Sequence, residues 1–300
     1  MSDARRQRVV GLVIWLAGIL VSVPAFAQVD FSGEWAPRIY EDQPERVPGP
    51  ELADYLGLPL NDAARLRGDS WEASMFTLPE WQCQPHGADY IWRGPSNLTV
   101  RNEADPLTRE INTMHAEWLR SIDNPIYLDG RPRPDPDSFS SWGGFATGKW
   151  EGDMLTVTIT NVKESYLRRN GLPRSAHATI TEHWIRHGDF LTVAVITNDP
   201  VYLSEPFIRT TDYELNLRQR VPPYPCEMVT EIERPRGEIP HHLFNTNPDL
   251  EEFGTKHGIP FEVTRGGAET AYPDYRKKLK QLMGPNPTAK PLPGAGGGVP

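Results

Sequence analysis

From Asn97 onward, apolar residues fall on alternate positions: Leu98 and Val100, then Ile111, then Trp118 and Ile122, each set between polar neighbours. A period of two marks strands with one buried face. The clearest case runs from Phe145 to Val162, where Trp150-Glu151-Gly152-Asp153 supplies a turn between two strand-like runs. Its second arm sets Leu155, Val157 and Ile159 against Thr156, Thr158 and Thr160, as a half-buried antiparallel strand requires. A second hairpin is predicted from 176–186 and 190–197 around His187-Gly188-Asp189, with 207–217 and 227–233 extending the meander.

Before this region, Phe31-Ser32-Gly33-Glu34-Trp35 opens the folded part and a proline-rich arm follows. Pro50 near a helix start and Asn61 as an N-cap predict short helices over 50–56 and 62–67. After Glu233 the alternation stops, so 235–267 reads as an irregular wrap and 272–283 as a helix. The Pro/Gly-rich tail 284–300 is expected to be disordered. The predicted fold is mainly β, an antiparallel barrel or sandwich spanning 95–234 behind an N-terminal arm, 28–94. The early Gly-x-Trp favours a lipocalin-like barrel.

The first 27 residues read differently from the rest. Arg5, Arg6 and Arg8 precede an apolar run, Val9 to Val23, that ends in Ala25-Phe26-Ala27. This is the pattern of a secretory signal peptide cleaved near Ala27, and the run is short for a bilayer span. The expectation is an exported protein, periplasmic or secreted, with no stable membrane insertion after cleavage. The formal net charge of −9 grows more negative once the leader arginines are gone, which argues against nucleic acid or anionic lipid as partner. The 30 prolines, about twice the usual ~5%, imply long irregular connections, and the 9 tryptophans can supply core bulk or a stacking surface.

Cys83 and Cys226 are the two cysteines, and in an oxidising compartment they most simply form one disulfide. The competing reading is a metal site, since Cys83 and His86 have C-x-x-H spacing and His241 and His242 offer two further imidazoles. No cofactor is otherwise expected. The sequence carries no G-x-S-x-G elbow, H-E-x-x-H helix, phosphate-binding glycine loop, haem attachment site or EF-hand loop.

The segment 176–187 carries the densest chemistry. Alternation puts His177, Thr179, Thr181, His183 and Ile185 on one face and Ala178, Ile180, Glu182 and Trp184 on the other. Whichever face is core, an ionisable group goes inside. His177, Glu182 and His183 are therefore the candidate catalytic groups; the structural alternative pairs Glu182 with an arginine such as Arg209. His115 and Glu117 share a strand face and form a candidate acid/base pair or metal edge. Arg131, in Asp129-Gly130-Arg131, can reach a carboxylate from a turn. Arg168-Arg169-Asn170-Gly171 is either an anion-binding loop or a solvated basic turn. Candidate ligand-binding residues are thus His115, Glu117, Arg131, Trp184 and Arg209.

Several segments together resemble a widespread family of exported bacterial β-rich proteins without assigned function: Ile126-Tyr127-Leu128-Asp129-Gly130-Arg131-Pro132, Thr147-Gly148-Lys149-Trp150-Glu151-Gly152-Asp153-Met154-Leu155 and Thr181-Glu182-His183-Trp184. The likeness continues through Asn198-Asp199-Pro200, Pro206-Phe207-Ile208-Arg209, Tyr224-Pro225-Cys226-Glu227 and Pro240-His241-His242. It implies export and a β-rich fold, and it carries no activity or ligand. Composition and pattern favour a barrel that binds a small, partly apolar ligand in a tryptophan-lined cavity. The alternatives are a cofactor-free or metal-assisted isomerase or hydrolase of an aromatic or polycyclic compound, and a structural envelope protein.

Overall fold

The structure is a computed structural model that describes residues 29–39, 49–94, 97–119, 124–220, 226–229 and 232–283. The leader 1–27, the tail 284–300, Ile122 and residues 230–231 of the expected last strand lie outside these.

Eleven strands follow in chain order: β1 (Gly33–Pro37), β2 (Leu98–Ala104), β3 (Ile111–Trp118), β4 (Asn124–Tyr127), β5 (Phe145–Glu151), β6 (Met154–Thr160), β7 (Ser165–Arg168), β8 (Leu172–Arg174), β9 (Thr179–His187), β10 (Phe190–Asn198) and β11 (Phe207–Leu215). Nine of them close a barrel in the order β1-β11-β10-β9-β6-β5-β4-β3-β2, while β7 and β8 pair apart as a small hairpin. The barrel expected from the alternation is therefore present. Its neighbours are antiparallel except for β4 and β5, which run parallel because the chain from Leu128 to Gly144 returns to the end where β4 began. The barrel closes where β1 pairs with both β11 and β2, Trp35 lying opposite Leu215 on one side and Leu98 on the other.

That closure corrects one expectation. Residues 226–229 and 232–233 form no strand, since β11 already uses both edges, one on β10 and one on β1. The arm is corrected too. The stretch 50–56 is turns rather than a helix: Ala53 sits at φ 61°, outside the helical region, and the turns bury Tyr55 beside Leu58 and Leu60. Helix α1 (Asp62–Asp69) forms as expected, capped by the Asn61 side chain on the Ala64 N–H. A four-residue helix α2 (Pro79–Gln82) follows. The wrap 235–267 contains α3 (Glu252–His257) and α4 (Phe261–Thr264), and the terminal helix α5 begins at Tyr275 (Tyr275–Met283).

The two ends of the barrel differ. At one, tight turns join β5 to β6 and β9 to β10 through Gly152 and Gly188, both at positive φ, a conformation glycine adopts without steric cost. At the other gather the long connections: the arm after β1, the excursion 161–178 that carries β7 and β8, and the loop 199–206. A second, smaller core of Tyr55, Leu58, Leu60, Ala64, Leu167, Leu172, Leu203 and Phe207 lies under this long-loop end.

The interior is filled. Inward positions of β6 (Leu155, Val157, Ile159), β9 (Ile180, Trp184) and β10 (Leu191, Val193, Val195) meet Phe31, Trp35 and Tyr213. The segment 86–94, buried without interruption, enters from the long-loop end as a plug. Its Trp92 ring stands edge-on to Trp184, with centroids 5.1 Å apart, and to Tyr213 at 6.1 Å. The Trp92 carbonyl accepts from Thr211 Oγ1 at 3.0 Å and Tyr213 Oη at 3.3 Å. Gly94 lies flat on Trp118, where any Cβ would fall inside the indole. The tryptophans thus meet one another rather than enclosing a space. Around Trp35, Trp92 and Trp184 the side chains of the core pack on one another.

Candidate functional site

Strand β9 settles which face is core. Ile180, Glu182 and Trp184 point inward, and His183 points outward, its Nδ1 3.1 Å from Thr156 Oγ1. His177 precedes the strand on the exposed surface, its N–H held by Ser175 Oγ at 3.1 Å. The three candidate catalytic groups do not converge, because alternate residues of one strand face opposite sides of the sheet.

Glu182 is 1% exposed. One carboxylate oxygen accepts from Trp92 Nε1 at 2.6 Å and the other from Trp184 Nε1 at 2.9 Å. Burial pushes its pKa up to about 7; the two indole bonds oppose the rise and the nearby Asp89 charge adds to it. The pairing expected with Arg209 is replaced: Arg209 Nη2 reaches the Asp89 carbonyl at 3.4 Å, and Glu182 is met by two indoles. Trp184 is fully buried in the core.

The other candidates are spread over separate parts of the fold, and of them His115 and His86 are buried. His115 Nε2 lies 3.0 Å from Glu103 Oε2, and Glu117 pairs with Arg101, each across the β2–β3 ladder. Arg131 forks onto Asp129 and covers the Tyr127 ring at 3.7 Å. Cys83 is bonded to Cys226, with Cα atoms 5.4 Å apart, which removes the thiolate from the alternative metal set. His242 meets Glu72 at 2.9 Å, His241 lies near the Ile239 carbonyl at 2.7 Å, and His86 is buried elsewhere. Among the described residues no group of three metal-binding side chains comes together.

The long-loop end concentrates chemistry that the sequence reading missed. Arg174 is 0% exposed; it gives Nε to Asp89 Oδ1 at 3.3 Å and Nη1 to the carbonyls of Lys163 and Ser175 at 2.7 and 3.1 Å. Asp199, equally buried, takes the Ser175 N–H at 2.6 Å and its hydroxyl at 2.7 Å. Three polar atoms here, Arg174 Nη2, Asp89 Oδ2 and Ser165 Oγ, are buried without a hydrogen-bond partner. Each such atom costs ~1–3 kcal/mol relative to a satisfied one. Gly87 lets the plug pass: a Cβ there would meet Arg174 Nη2, with Ser165 Oγ at 3.0 Å and Asp89 Oδ1 at 3.2 Å.

Beside this cluster lies a cleft of about 20 Å³, with Phe76, Trp81, Gln84, Pro85 and His86 of the arm on one wall and Tyr166 and Arg169 of the hairpin on the other. The arm's aromatic rings interlock edge to face, Trp71 with Phe76 at 5.2 Å and with Trp81 at 5.8 Å. The Tyr166 hydroxyl bonds His86 Nδ1, and His86 stacks on Tyr90 at 4.5 Å. Arg169 places its Cζ 4.9 Å above the Phe76 ring, while its buried Nε donates to nothing. A larger concavity of about 370 Å³ lies between α3, α4 and the end of α5, but it is an open groove with Glu251 as its one charged side chain. The cleft at the barrel end is the better candidate because the partnerless Arg169 Nε and a set of aromatic rings meet there.

The arm over the cleft is tied to the chain that follows β11. Cys83 holds Cys226, Glu80 forks onto Arg234, and Glu80 also accepts the Ile232 N–H at 3.0 Å. Among the described residues no helix is long and apolar enough to cross a membrane, and the disulfide fits an oxidising, extracytoplasmic compartment. Comparison of the chain with family models, with curated proteins and with solved structures finds no match.

Proposed function

We propose that this protein is an exported binder of a small, partly apolar ligand, and that the binding site is the cleft at the long-loop end of the barrel. The observation that carries the reading is the wall of Phe76, Trp81 and Tyr166 beside Arg169, whose buried Nε lacks an acceptor. A protein that leaves such donors unsatisfied either accepts their cost or meets it with a bound molecule. The barrel acts as the rigid platform, and the loops at one end carry the site. Binding without turnover suits the arrangement, since Glu182 is sealed behind two indoles and the histidines of its strand face the other way. Cleavage of the leader near Ala27, delivery to the periplasm or medium, and kinship with the exported bacterial proteins belong to the same proposal.

The test is native mass spectrometry of protein purified from its natural export route, followed by tryptophan-fluorescence titration with a panel of small aromatic and aliphatic compounds. A co-purifying organic mass or a saturable fluorescence change is expected. Trp81→Ala should weaken the response at least ~10-fold, the usual consequence of truncating a central aromatic contact. A bare polypeptide mass together with no saturable response across the panel would refute the binding role.

A further inference from the structure

Resting on that reading, we infer that the ligand class is a small aromatic carboxylate, its ring taken up by the arm and its carboxylate by Arg169. Three independent features of the cleft select it. The walls are flat and aromatic or prolyl, Phe76, Trp81, Tyr166 and Pro85, which favours a planar ring over a branched aliphatic group. The charged side chain that lines the cleft is Arg169, which also bonds the Tyr90 hydroxyl behind it, and no carboxylate is among the lining residues. In a chain whose formal net charge is −9, this is a local reversal of sign, and a concave positive site in an acidic surface focuses small anions there. The donor itself is a guanidinium, whose planar fork matches a carboxylate in two parallel hydrogen bonds.

With the arm closed, the volume of about 20 Å³ accommodates roughly one water. A ring therefore enters only when the arm lifts, and the arm is built to do so. No residue of the 3₁₀ turn Ala73–Thr77 is buried, so a shift of that turn, with Trp81 staying packed on the core, exposes little apolar surface; segments with few buried contacts open at low cost compared with global unfolding. The Glu72–His242 contact on one side and the Glu80–Arg234 pair with the Cys83 disulfide on the other hold the turn at both ends and make that motion a local excursion rather than a release. Phe76, seven residues before Cys83, then swings with the ring that Arg169 now covers.

The experiment uses the full mature protein and three probes that separate ring from charge: benzoate, its neutral isostere benzamide, and acetate. Calorimetric and fluorescence titrations should show benzoate binding saturably, with benzamide and acetate each at least ~10-fold weaker, the scale of one lost charge-assisted contact or one lost aromatic contact. Arg169→Gln should bring benzoate down to the level of benzamide, and Arg169→Lys should restore the affinity only in part because the fork is lost. Equal binding of benzamide and benzoate would overturn the assignment of an anion, and equal binding of acetate would overturn the assignment of a ring. Failure of benzoate while a neutral panel compound saturates would overturn the ligand class and leave the binding role standing; failure of every compound, with a bare native mass, would overturn both. The three-probe comparison on the unmodified protein decides the matter even if the Arg169 variants do not fold.

Discussion

Raising the pH from 5 to 8 should destabilise this protein through a single buried carboxyl. Glu182 has its pKa moved from 4.5 to about 7 by burial between Trp92 and Trp184, the indole bonds opposing the rise and Asp89 reinforcing it. Below pH 4.5 the group is protonated in both folded and unfolded chains, and its contribution to stability is fully present. As the pH climbs from there, the unfolded chain ionises while the folded one keeps its proton, so stability falls until about pH 7 and then levels. The size is the difference between the two pKa values times ~1.4 kcal/mol per unit, about 3 kcal/mol in all. Carboxyls whose pKa values are lowered, among them Asp30, Glu51, Asp105 and Asp129, act in the opposite sense. Their effect is complete near pH 5, above the values they take in the unfolded chain, which leaves the window from 5 to 7 to Glu182 among the carboxyls.

The assay is urea unfolding followed by tryptophan fluorescence at pH 5, 6, 7 and 8, for the natural protein and for Glu182→Gln. The slope of stability with pH is the quantity to compare. The glutamine amide nitrogen cannot accept from an indole, so the variant starts from a lower stability at pH 5; its curve should nevertheless run flatter than the natural one by ~1 kcal/mol per pH unit between 5 and 7. Parallel curves would refute the argument. They would mean that Glu182 is already ionised at pH 5 and that two indole N–H groups suffice to hold a charged carboxylate in the core.

Two further perturbations test the frame around the site. Cys83→Ser with Cys226→Ser opens a loop spanning 143 positions, for which the chain-entropy account gives a loss of up to ~5 kcal/mol; an unchanged urea midpoint would show that the ties at Glu80 and Glu72 already hold the arm. Gly94→Ala drives a methyl into the Trp118 indole and should cost ~1–3 kcal/mol, read as a melting temperature ~2–12 °C lower, whereas an unaltered melt would mean that the plug does not rest on Trp118.

The strands were legible because alternation is a local signal that the barrel simply reads out. On β6 the burial runs strictly alternate from Met154 to Thr160, and the hairpins at Gly152 and Gly188 fall where glycine and aspartate announce them. What escaped depends on contacts distant in sequence. The plug is a short mixed segment without periodicity, and nothing local says that Trp92 travels to Glu182, ninety positions on. The turns at 50–56 contain good helix formers, but burying Tyr55 and Leu58 in the smaller core overrides that propensity. Residues 227–233 lost their strand to closure, because β1, a five-residue strand that only a Gly-x-Trp betrays, took the free edge of β11 first. Of the site, the sequence marked the basic pair Arg168-Arg169 and the odd acid Glu182. It could not mark Asp89 and Arg174, whose meaning lies in their meeting.

The same plug decides where a ligand can go. A nine-stranded barrel is wide enough to leave interior space unless something fills it, and here 86–94 brings two large aromatic side chains, Tyr90 and Trp92, into that space. The plug must carry backbone through the wall of loops, and a buried backbone needs partners. The Trp92 carbonyl finds them on β11, and Ala88 donates to the Trp142 carbonyl at 3.1 Å. Asp89 enters with the plug as a charge, so Arg174 is brought in from β8 to meet it; a buried ion of either sign left alone would cost several kcal/mol. The cluster of polar atoms at the long-loop end is therefore the consequence of filling the barrel from outside. Its incomplete satisfaction, Nη2 on one side and Oδ2 on the other, falls close to the wall that the arm supplies. Filling the barrel with the plug thus brings, by the same contacts, polar and aromatic side chains together at its rim.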